Sequence, residues 1–401
     1  MKAKIYKELT KKNGILLSSD ALAYLNTKIT DECMLMHIST EYKRRNGPNM
    51  GDLRLFQEII ESTKAYTQTP YTIINQQYRK TDLMHRYKRL KQRINKDITP
   101  IYLLSNRRCT IFGCYYRDKQ GKEVLEDDGD IIILDMNMCN GNAFLCDNIF
   151  VALDGCVTKN AFEVTEIHFP SIEMRNTNMH RIPVESFKML FFSDLWLNEM
   201  NGNILRKIIM KIPADLIVIM GRLSSEKCMS IPYACFMNGL KPNNAFSQVP
   251  DIIICPEAND LYSSFLPKEV PSPSEYKDTI KMATNPCIIE TKYCSVGIVR
   301  DNVFKSRERG RFIGTDYTNS FIRTMLSQQS FNPFVIPNLD IEGIPDIVVV
   351  GQDVYPFISC IDDITFISCP SFRDGMSFIS YDASSRIPSI LCCKDVLEDN
   401  A

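Results

Sequence analysis

Four short runs of apolar residues constrain the fold of this chain more than any other feature. They are Met189–Phe192, Leu216–Met220, Ile252–Ile254 and Ile347–Val350. Uninterrupted apolar runs of this length are typical of strands that are buried on both faces, as in a parallel sheet covered by helices. Apolar residues recur at helical spacing between the runs, for example over Asn203–Lys211 and Thr318–Ser327. Residues 186–401 are therefore predicted to form an α/β domain.

Each of these runs ends in a polar loop, which is where α/β enzymes place their ligand-binding residues. The arrangement is similar to that of the calcineurin-like phosphoesterases, which hold two metal ions about 3.5–4 Å apart with imidazoles and carboxylates. The loops of this chain contain carboxylates but no imidazole. The four histidines, which are His37, His85, His168 and His180, all precede the first loop.

The ligand positions of the phosphoesterase pattern keep some carboxylates in this chain but contain no histidine. They are Asp194, Trp196, Arg222, Ser225, Asn259, Asp260, Gln352 and Val354. Trp196 stands where the first histidine should be, and indole cannot ligate a metal. Arg222 would place a permanent positive charge where a dication should sit, which is unfavourable in a low-dielectric cleft. We therefore predict an inactive domain with no catalytic residue, metal ligand or cofactor. The alternative is a carboxylate-only Mg²⁺ or Mn²⁺ site formed by Asp194, Glu257, Asp260 and Asp353.

Residues 101–170 show the period-two pattern of strands, interrupted by turns that contain glycine. The predicted strands are Arg108–Tyr116, Lys122–Leu125, Ile131–Leu134, Ile149–Val157 and Ala161–Ile167. Five short strands in this span predict an OB-fold barrel. The aromatic residues Phe112, Tyr115 and Tyr116 could stack on the bases of a single strand. Acidic residues in the turns would repel the phosphates of a single strand, and aromatic residues on half-buried strands usually belong to the core.

Residues 1–63 are predicted to form a small helical domain, with Ser18 or Ser19 as an N-cap and Leu22, Leu25 and Ile29 at helical spacing. Residues 64–100 are predicted to contain a basic connector helix. Its apolar stripe is Leu83, Tyr87, Leu90 and Ile94, and its possible DNA-facing residues are Arg86, Lys88, Arg89, Lys91 and Arg93. A phosphate-contacting helix and a docking helix with a solvated basic face both fit this pattern, and the docking helix is favoured.

Composition adds two limits. The net charge of −1 gives the whole molecule no general attraction to nucleic acid or to an anionic membrane. The fifteen cysteines are scattered and contain no CxxC pair, so we expect reduced thiols in an intracellular protein rather than a disulfide framework or a zinc knuckle.

Several motifs, taken together, resemble one family over most of the chain. They are Gly14–Leu25, Arg79–Lys96, Thr110–Asp135, Phe191–Leu197, Thr284–Cys287, Val299–Asp301 and Phe321–Gln328. The family is the B-subunit family of eukaryotic replicative DNA polymerases, and the Ser-Asp-x-Trp sequence ending at Trp196 resembles its polymerase epsilon branch. The resemblance implies a multi-domain α+β protein that combines a small helical domain, an OB-fold barrel and an inactive phosphoesterase αββα domain.

The resemblance also implies a function and partners. A B subunit is a non-catalytic accessory subunit that holds the C-terminal metal-binding domain of the catalytic subunit on its OB and phosphoesterase domains. In the epsilon branch the N-terminal domain tethers the polymerase to the replicative helicase through GINS, in the nucleus. DNA contact would then be mainly indirect. The alternatives are an active metal-dependent phosphoesterase with a non-standard site and an OB-fold protein that binds single-stranded DNA.

Overall fold

The computed structural model divides the chain into two compact units. One runs from Met1 to Ile73 and includes Ile289–Cys294, and the other holds Ile74–Arg175, Val184–Ile288 and Ser295–Ala401. The structure describes residues 2–29, 35, 38–39, 42, 53–59, 71–75, 83–159, 161–175, 187–196, 199–222, 250–257, 280–291, 293–304, 310–333, 340–341, 343–353 and 355–398. Within these ranges no helix is long and apolar enough to cross a membrane.

The N-terminal unit contains helix α1 (Lys2–Ile5), which continues as a π-helical segment over Tyr6–Lys12, and helix α2 (Ser19–Lys28). Residues 53–59 are also helical. Ser18 caps α2, because its hydroxyl accepts a hydrogen bond of 3.1 Å from the backbone N–H of Ala21. The predicted N-cap is therefore confirmed at Ser18. Apolar side chains from these helices form a separate cluster, in which Leu9, Leu25 and Phe56 are fully buried.

The barrel lies in the second unit and is closed by five strands. They are β2 (Cys109–Arg117), β3 (Glu123–Glu126), β4 (Ile131–Asp135), β6 (Ile149–Thr158) and β7 (Ala161–His168), in the order β2-β3-β4-β7-β6. The five predicted strands are confirmed to within one residue at each end. A β-bulge between Asp154 and Gly155 bends β6 against β7. A side chain at Gly155 would lie 2.0 Å from the carbonyl oxygen of Glu163, so the close approach requires glycine.

The α/β region contains two sets of strands, each with parallel strands and an antiparallel edge. The first set is β8 (Lys188–Ser193), β9 (Leu216–Met220), β10 (Asp251–Cys255), β11 (Ile280–Met282), β18 (Ser377–Asp382) and β19 (Ile387–Cys392), ordered β11-β10-β9-β8-β18-β19. The second set is β13 (Ser295–Arg300), β15 (Ile347–Gly351), β16 (Phe357–Ile361) and β17 (Ile364–Cys369), ordered β13-β15-β17-β16. Strands β8 to β11 run parallel, as do β13, β15 and β17. All four apolar runs of the sequence lie in these parallel strands.

The other helices and strands of the described residues have the following bounds. The helices are α3 (Leu83–Lys91), α4 (Glu199–Lys211), α5 (Tyr317–Ser327), α6 (Phe372–Gly375) and α7 (Cys393–Glu398), with a 3₁₀ turn at Ile101–Leu103. The remaining strands are β1 (Tyr71–Asn75), β12 (Cys287–Thr291), and the pair β5 (Ala143–Leu145) and β14 (Arg311–Ile313). This last pair, which lies outside the barrel, was absent from the sequence prediction.

The barrel and the α/β region share one continuous apolar cluster. Phe144 of the barrel region packs on Phe321 of α5 with ring centroids 4.9 Å apart, and Phe321 packs on Phe304 at 4.3 Å. Gln328, at the end of α5, accepts a hydrogen bond of 2.8 Å from the backbone N–H of Phe150 and donates one of 2.9 Å to its carbonyl. Buried packing and paired backbone groups therefore join the two regions.

Helix α3 docks on the barrel through Tyr87 and Leu90, which pack with Phe112 and Phe150. The prediction of a buried apolar stripe is correct for these residues, whereas Leu83 at the start of the helix is 42% exposed. The prediction that Arg86 lies on a solvated basic face is wrong. Arg86 is fully buried, and its guanidinium lies 5.5 Å from the ring centroid of Phe150. Residue 86 shares a helix face with Leu90, one turn later, so the docked face includes it.

Candidate functional site: a cluster of carboxylates and arginines at the strand ends

The carboxyl ends of parallel strands bring charged side chains together in the α/β region. Asp194 follows β8, Arg222 follows β9, Glu257 follows β10 and Asp353 follows β15, while Arg300 is the last residue of β13. We call these five residues the strand-end cluster. This edge is where an α/β protein places its ligand-binding loops.

Arg300 lies at the centre of the strand-end cluster. Its side chain is fully buried, and its Nε and Nη2 donate hydrogen bonds of 2.9 and 2.7 Å to the two carboxylate oxygens of Asp194. Nη2 also donates to Oδ1 of Asp353 at 2.9 Å, and Nη1 donates to the carbonyl of Gly351 at 3.2 Å. The pairing with Asp194 is the bidentate geometry in which a guanidinium binds a carboxylate most strongly.

A second arginine, Arg222, pairs with Glu257, which is the third carboxylate of the strand-end cluster. Arg222 donates from Nε and Nη2 to the two oxygens of Glu257, at 2.6 and 3.3 Å. The backbone N–H of Arg222 donates to Oδ1 of Asp194 at 3.1 Å, and Nη2 of Arg300 lies 3.8 Å from Oε1 of Glu257. Two guanidinium groups therefore compensate three carboxylates, of which Asp194 and Glu257 are buried.

The carboxylates keep both arginines charged. Burial lowers the pKa of Arg300, but hydrogen bonds from its guanidinium to Asp194 and the negative charges of Asp194, Glu257 and Asp353 outweigh burial, so the pKa lies above its ordinary value. The hydrogen bond to Glu257 raises the pKa of Arg222 despite partial burial. Both side chains are thus permanent cations within the cluster.

Two glycines make room for the Arg300 side chain. Gly221 has a φ of +77°, and a Cβ there would lie 2.4 Å from Oδ1 of Asp194 and 2.8 Å from Nε of Arg300. A Cβ at Gly351 would lie 2.9 Å from Cδ of Arg300. Both positions therefore require glycine, because a side chain at either one would displace the Arg300 side chain.

Trp196 and Gln352, which the sequence analysis places at ligand positions of the phosphoesterase pattern, contact other residues. The guanidinium carbon of Arg373 lies 4.2 Å from the centroid of the Trp196 ring, which is a cation–π contact. Asn201 holds the turn by donating to the carbonyl of Trp196 at 3.0 Å. Gln352 is buried and donates to the hydroxyl of Ser368 at 2.9 Å. The predicted positions Ser225, Asn259, Asp260 and Val354 lie outside the described residues.

The donor set of the strand-end cluster does not fit the two metal ions of a phosphoesterase. Both oxygens of Asp194 and Oδ1 of Asp353 accept hydrogen bonds from Arg300, and both oxygens of Glu257 accept hydrogen bonds from Arg222. A dication within this set would lie against a fixed guanidinium, and no imidazole stands beside it. The sequence reasoning missed Arg300. Its signal was the need for a buried cation among three carboxylate-bearing loops that lack histidine.

The residues predicted on the basic helix are distributed around it. Arg86 is buried, Nη2 of Arg89 lies 3.0 Å from Oδ2 of Asp340, and Arg93 pairs with Glu173. Lys91 donates to the hydroxyl of Tyr87 at 3.1 Å, while Lys88 is exposed. Arg86 therefore does not belong to an exposed DNA-facing surface of this helix.

A further group of possible metal ligands lies on the barrel. It consists of Asp154, Glu166 and His168, whose ligand atoms lie within 4.8 Å of one another. Lys96 already places its ammonium group there, 2.7 Å from Oδ2 of Asp154 and 2.7 Å from Nε2 of His168. Because a resident cation occupies this group, it is an ion-pair network rather than a metal site.

The aromatic residues of the first barrel strand belong largely to the core. Phe112 and Tyr115 are each 1% exposed, and the hydroxyl of Tyr115 donates to Glu123 at 2.8 Å. Tyr116 is partly exposed. The interpretation of these residues as core, rather than as stacking platforms, is correct for Phe112 and Tyr115.

Solved structures similar to this chain cover about half of its length. A novel archaeal phosphodiesterase is 10% identical and has a TM-score of 0.30, covering 51% of this chain and 99% of its own. A predicted phosphoesterase from Streptococcus pneumoniae is 9% identical with a TM-score of 0.30, covering 53% and 92%. Vacuolar protein sorting 29 from Cryptosporidium parvum is 12% identical with a TM-score of 0.29, covering 51% and 96%. Likenesses this low carry no argument about activity.

The family comparison concerns the barrel. Residues 60–171 match the family described as the DNA polymerase epsilon subunit 2-like OB-fold domain. No curated protein matches the chain. The structure confirms the predicted combination of an OB-fold barrel with an α/β region of largely parallel strands. Over these residues the match supports the resemblance to the B-subunit family of replicative DNA polymerases that the sequence motifs indicate.

Proposed function

We propose that the chain is a non-catalytic accessory subunit of a DNA polymerase epsilon complex and serves as a scaffold in nuclear DNA replication. The match of residues 60–171 supports membership of such a complex. The observation that carries the non-catalytic part is the position of Arg300, whose buried guanidinium binds two carboxylates of the strand-end cluster. With an arginine in place of the metal ions, the domain keeps its fold as a scaffold but lacks metal-dependent catalysis.

The proposed partner of the second unit is the C-terminal metal-binding domain of the polymerase epsilon catalytic subunit. The barrel exposes large apolar side chains that suit a permanent interface, among them Tyr102, Leu103, Ile131 and Met138. The backbone N–H of Ile101 donates to Asp127 at 2.8 Å, which joins the Tyr102 turn to the end of β3. Exposed apolar groups gathered on one region commonly mark a protein interface.

The proposed partner of the N-terminal unit is the replicative helicase, reached through the GINS complex. The support is that this unit has an apolar cluster of its own, which includes Leu9, Leu25 and Phe56. A domain with its own core can bind a second partner without using the surface of the barrel.

Neither alternative function is favoured by an observation in the described residues. An active phosphoesterase would need the oxygens of Asp194, Asp353 and Glu257, which accept hydrogen bonds from Arg300 and Arg222. A single-strand-binding barrel would need exposed platforms, whereas Phe112 is buried.

The test of the scaffold proposal is co-expression with the C-terminal domain of the catalytic subunit, followed by nuclease treatment and size-exclusion chromatography. We expect a one-to-one complex that survives salt of about 0.5 M, where phosphate-driven association would largely be lost. Ile131→Asp on the barrel should break the complex, and Ile387→Asp, which changes an equally exposed residue of β19, should leave it intact. Separate elution of the wild-type chains would contradict the proposal.

The non-catalytic part has its own test. The purified chain is incubated with Mn²⁺ and a chromogenic phosphodiester, and we expect no turnover above buffer. Turnover that is abolished by Asp194→Ala would contradict the proposal, because it would assign a working metal site to the strand-end cluster.

A further inference from the structure

Three arginines form a row on the docked side of helix α3 and the turn that follows it. Arg86, Arg89 and Arg93 are spaced by three and four residues, which places them on one helical face. Their side chains are 0%, 23% and 17% exposed. We call these three residues the arginine row. A long cationic side chain is rarely buried to this extent unless it is paired.

The carboxylates beside the arginine row do not balance its charge. Asp340 lies 3.7 Å from Nε of Arg86 and 3.0 Å from Nη2 of Arg89. Glu173 pairs with Arg93. Among the described residues, three guanidinium groups therefore face two carboxylates, which leaves one unit of positive charge in a largely buried place.

The hydrogen-bonding capacity of the arginine row is met only in part. Arg93 donates to Glu173, whereas the approach of Arg89 Nη2 to Asp340 is an ion pair without hydrogen-bond geometry. Buried side-chain nitrogens with no hydrogen-bond partner are Nε, Nη1 and Nη2 of Arg86, Nε and Nη2 of Arg89, and Nη1 of Arg93. Ser330 adds an unpartnered hydroxyl, and it pairs with Asp340 across an isolated antiparallel bridge. Directly opposed residues of such a bridge project to the same side, so the hydroxyl belongs with the Asp340 carboxylate. Buried donors without an acceptor are unfavourable, and charged ones most of all.

Arg86 remains a cation despite its burial. Burial lowers its pKa to about 10, with Asp340 opposing the shift and Arg89 adding to it. The group is therefore protonated at neutral pH, and the excess positive charge persists.

We propose that the arginine row, together with Ser330, binds a phosphate-class oxyanion. A tetrahedral oxyanion presents several acceptor oxygens, and the planar guanidinium fork matches it in a bidentate manner. One negative charge would neutralise the excess of the row. A free phosphate and a nucleic-acid phosphodiester share this chemistry, and the burial of Arg86 favours a small group. This site does not depend on the accessory-subunit proposal.

The test measures thermal unfolding of the full chain in sodium phosphate and in sodium chloride of equal ionic strength. We expect a saturable rise in Tm with phosphate that chloride does not reproduce, because binding to the folded state alone stabilises it. Arg86→Met should weaken the phosphate affinity by about tenfold or more, since charge-assisted hydrogen bonds are lost. The matched control is Lys88→Met, which removes the same charge from the exposed face of α3 and should keep the full phosphate response.

A second variant guards against a folding defect at Arg86. Arg89→Met changes a partly exposed member of the row and should also lose the phosphate response while its circular dichroism spectrum stays native. Absence of a phosphate response in the wild type overturns the proposal. A response that chloride reproduces, or that both variants retain, means an adventitious ion only and overturns it as well. Competition by a short single-stranded DNA would identify the source as a phosphodiester, and its failure would identify a free phosphate.

Discussion

At the scale of single residues, the charge balance of the strand-end cluster depends on Arg300. Asp194 is 2% exposed and receives both of its strongest hydrogen bonds from this guanidinium. Removing one partner of a buried ion pair leaves a charge that neither water nor protein compensates. Arg300 therefore links the carboxyl ends of β8, β13 and β15. We expect its loss to destabilise all three strands.

We predict that Arg300→Ala lowers the free energy of unfolding by about 3–5 kcal/mol, as expected for a buried pair that loses one member. The matched control is Arg323→Ala, which removes an ion pair with Asp362 whose side chains are 51% and 52% exposed. The control should cost about 0–1 kcal/mol. Urea denaturation measures both, and equal costs would show that the buried network adds nothing beyond a surface pair.

A second residue-scale prediction concerns Asp154 and pH. Burial raises the pKa of Asp154, but hydrogen bonds from Lys96, Thr110 and His168 lower it by more, so it lies below the ordinary 3.8. A carboxyl whose pKa is depressed by folding stabilises the fold above its unfolded pKa, and this contribution is lost as the pH falls through the folded pKa. Asp154→Asn should therefore be less stable than the wild type at pH 7, and the difference should shrink below about pH 3.8.

The measurement is the urea midpoint of both proteins at pH 7, 5 and 3. Asp362→Asn serves as the control, because Asp362 lies on the exposed turn between β16 and β17 and pairs with the exposed Arg323 of α5. A difference between Asp154→Asn and the wild type that stays constant from pH 7 to pH 3 would contradict the assigned role of the carboxylate.

How far the sequence predicts the site is clear from Arg222 and Arg300. Arg222 occupies a ligand position of the phosphoesterase pattern, so its positive charge could be assigned to the site directly. Arg300 lies in the Val299–Asp301 motif, which the sequence analysis used only for the family resemblance, and its partner Asp194 is 106 positions away. A long-range pairing of this kind has no local periodicity, and only the requirement for charge balance pointed to it.

At the scale of elements, local capping can be tested within the N-terminal unit. Ser18 and Ser19 are adjacent, but only the hydroxyl of Ser18 accepts a hydrogen bond from a backbone N–H of α2. The hydroxyl of Ser19 contacts only the side chain of Asp20, at 3.4 Å. The two positions therefore separate the effect of the cap from the effect of the residue type.

We predict that Ser18→Ala destabilises α2 by about 1 kcal/mol, as is usual for the loss of an N-cap. Ser19→Ala should change the stability by no more than a few tenths of that, because serine and alanine differ little at the first helical position. Amide hydrogen exchange over residues 19–28 measures the local effect. Equal exchange rates in the two variants would mean that Ser18 does not cap the helix.

Elements with a strong local signal were predicted well, and those set by tertiary pairing were not. The barrel strands alternate with turns and were placed to within one residue. The strands β16 to β19 mix polar and apolar residues, and β16 and β19 lie at sheet edges, so their sequences carry no clear period. Helix α3 shows the same limit, since its period predicted a docked face but the neighbouring charges of Asp340 and Glu173 determined where its arginines lie.

At the scale of the whole molecule, each of the two units has its own apolar core. Among the described residues, the clusters of the second unit contain none before Ile74, and the cluster of the N-terminal unit ends at Ile59. Hydrophobic stabilisation is local to the surfaces that pack together. One unit can therefore be deleted without removing apolar side chains from the core of the other. The bounds 1–63, 64–100, 101–170 and 186–401 remain proposals for domains.

We predict that deletion of residues 1–63 leaves a folded protein that still binds the C-terminal domain of the catalytic subunit but loses binding to GINS. The reason is that the barrel and the α/β region keep their shared cluster, whereas the helical cluster is removed. Leu25→Asp in the full chain is the matched variant, since it buries a charge within the helical cluster alone. Both proteins should co-elute with the catalytic domain in size-exclusion chromatography, and neither should retain GINS in a pull-down. If the truncated chain lost the catalytic domain as well, the two partners would share one surface and the assignment of one partner to each unit would be wrong.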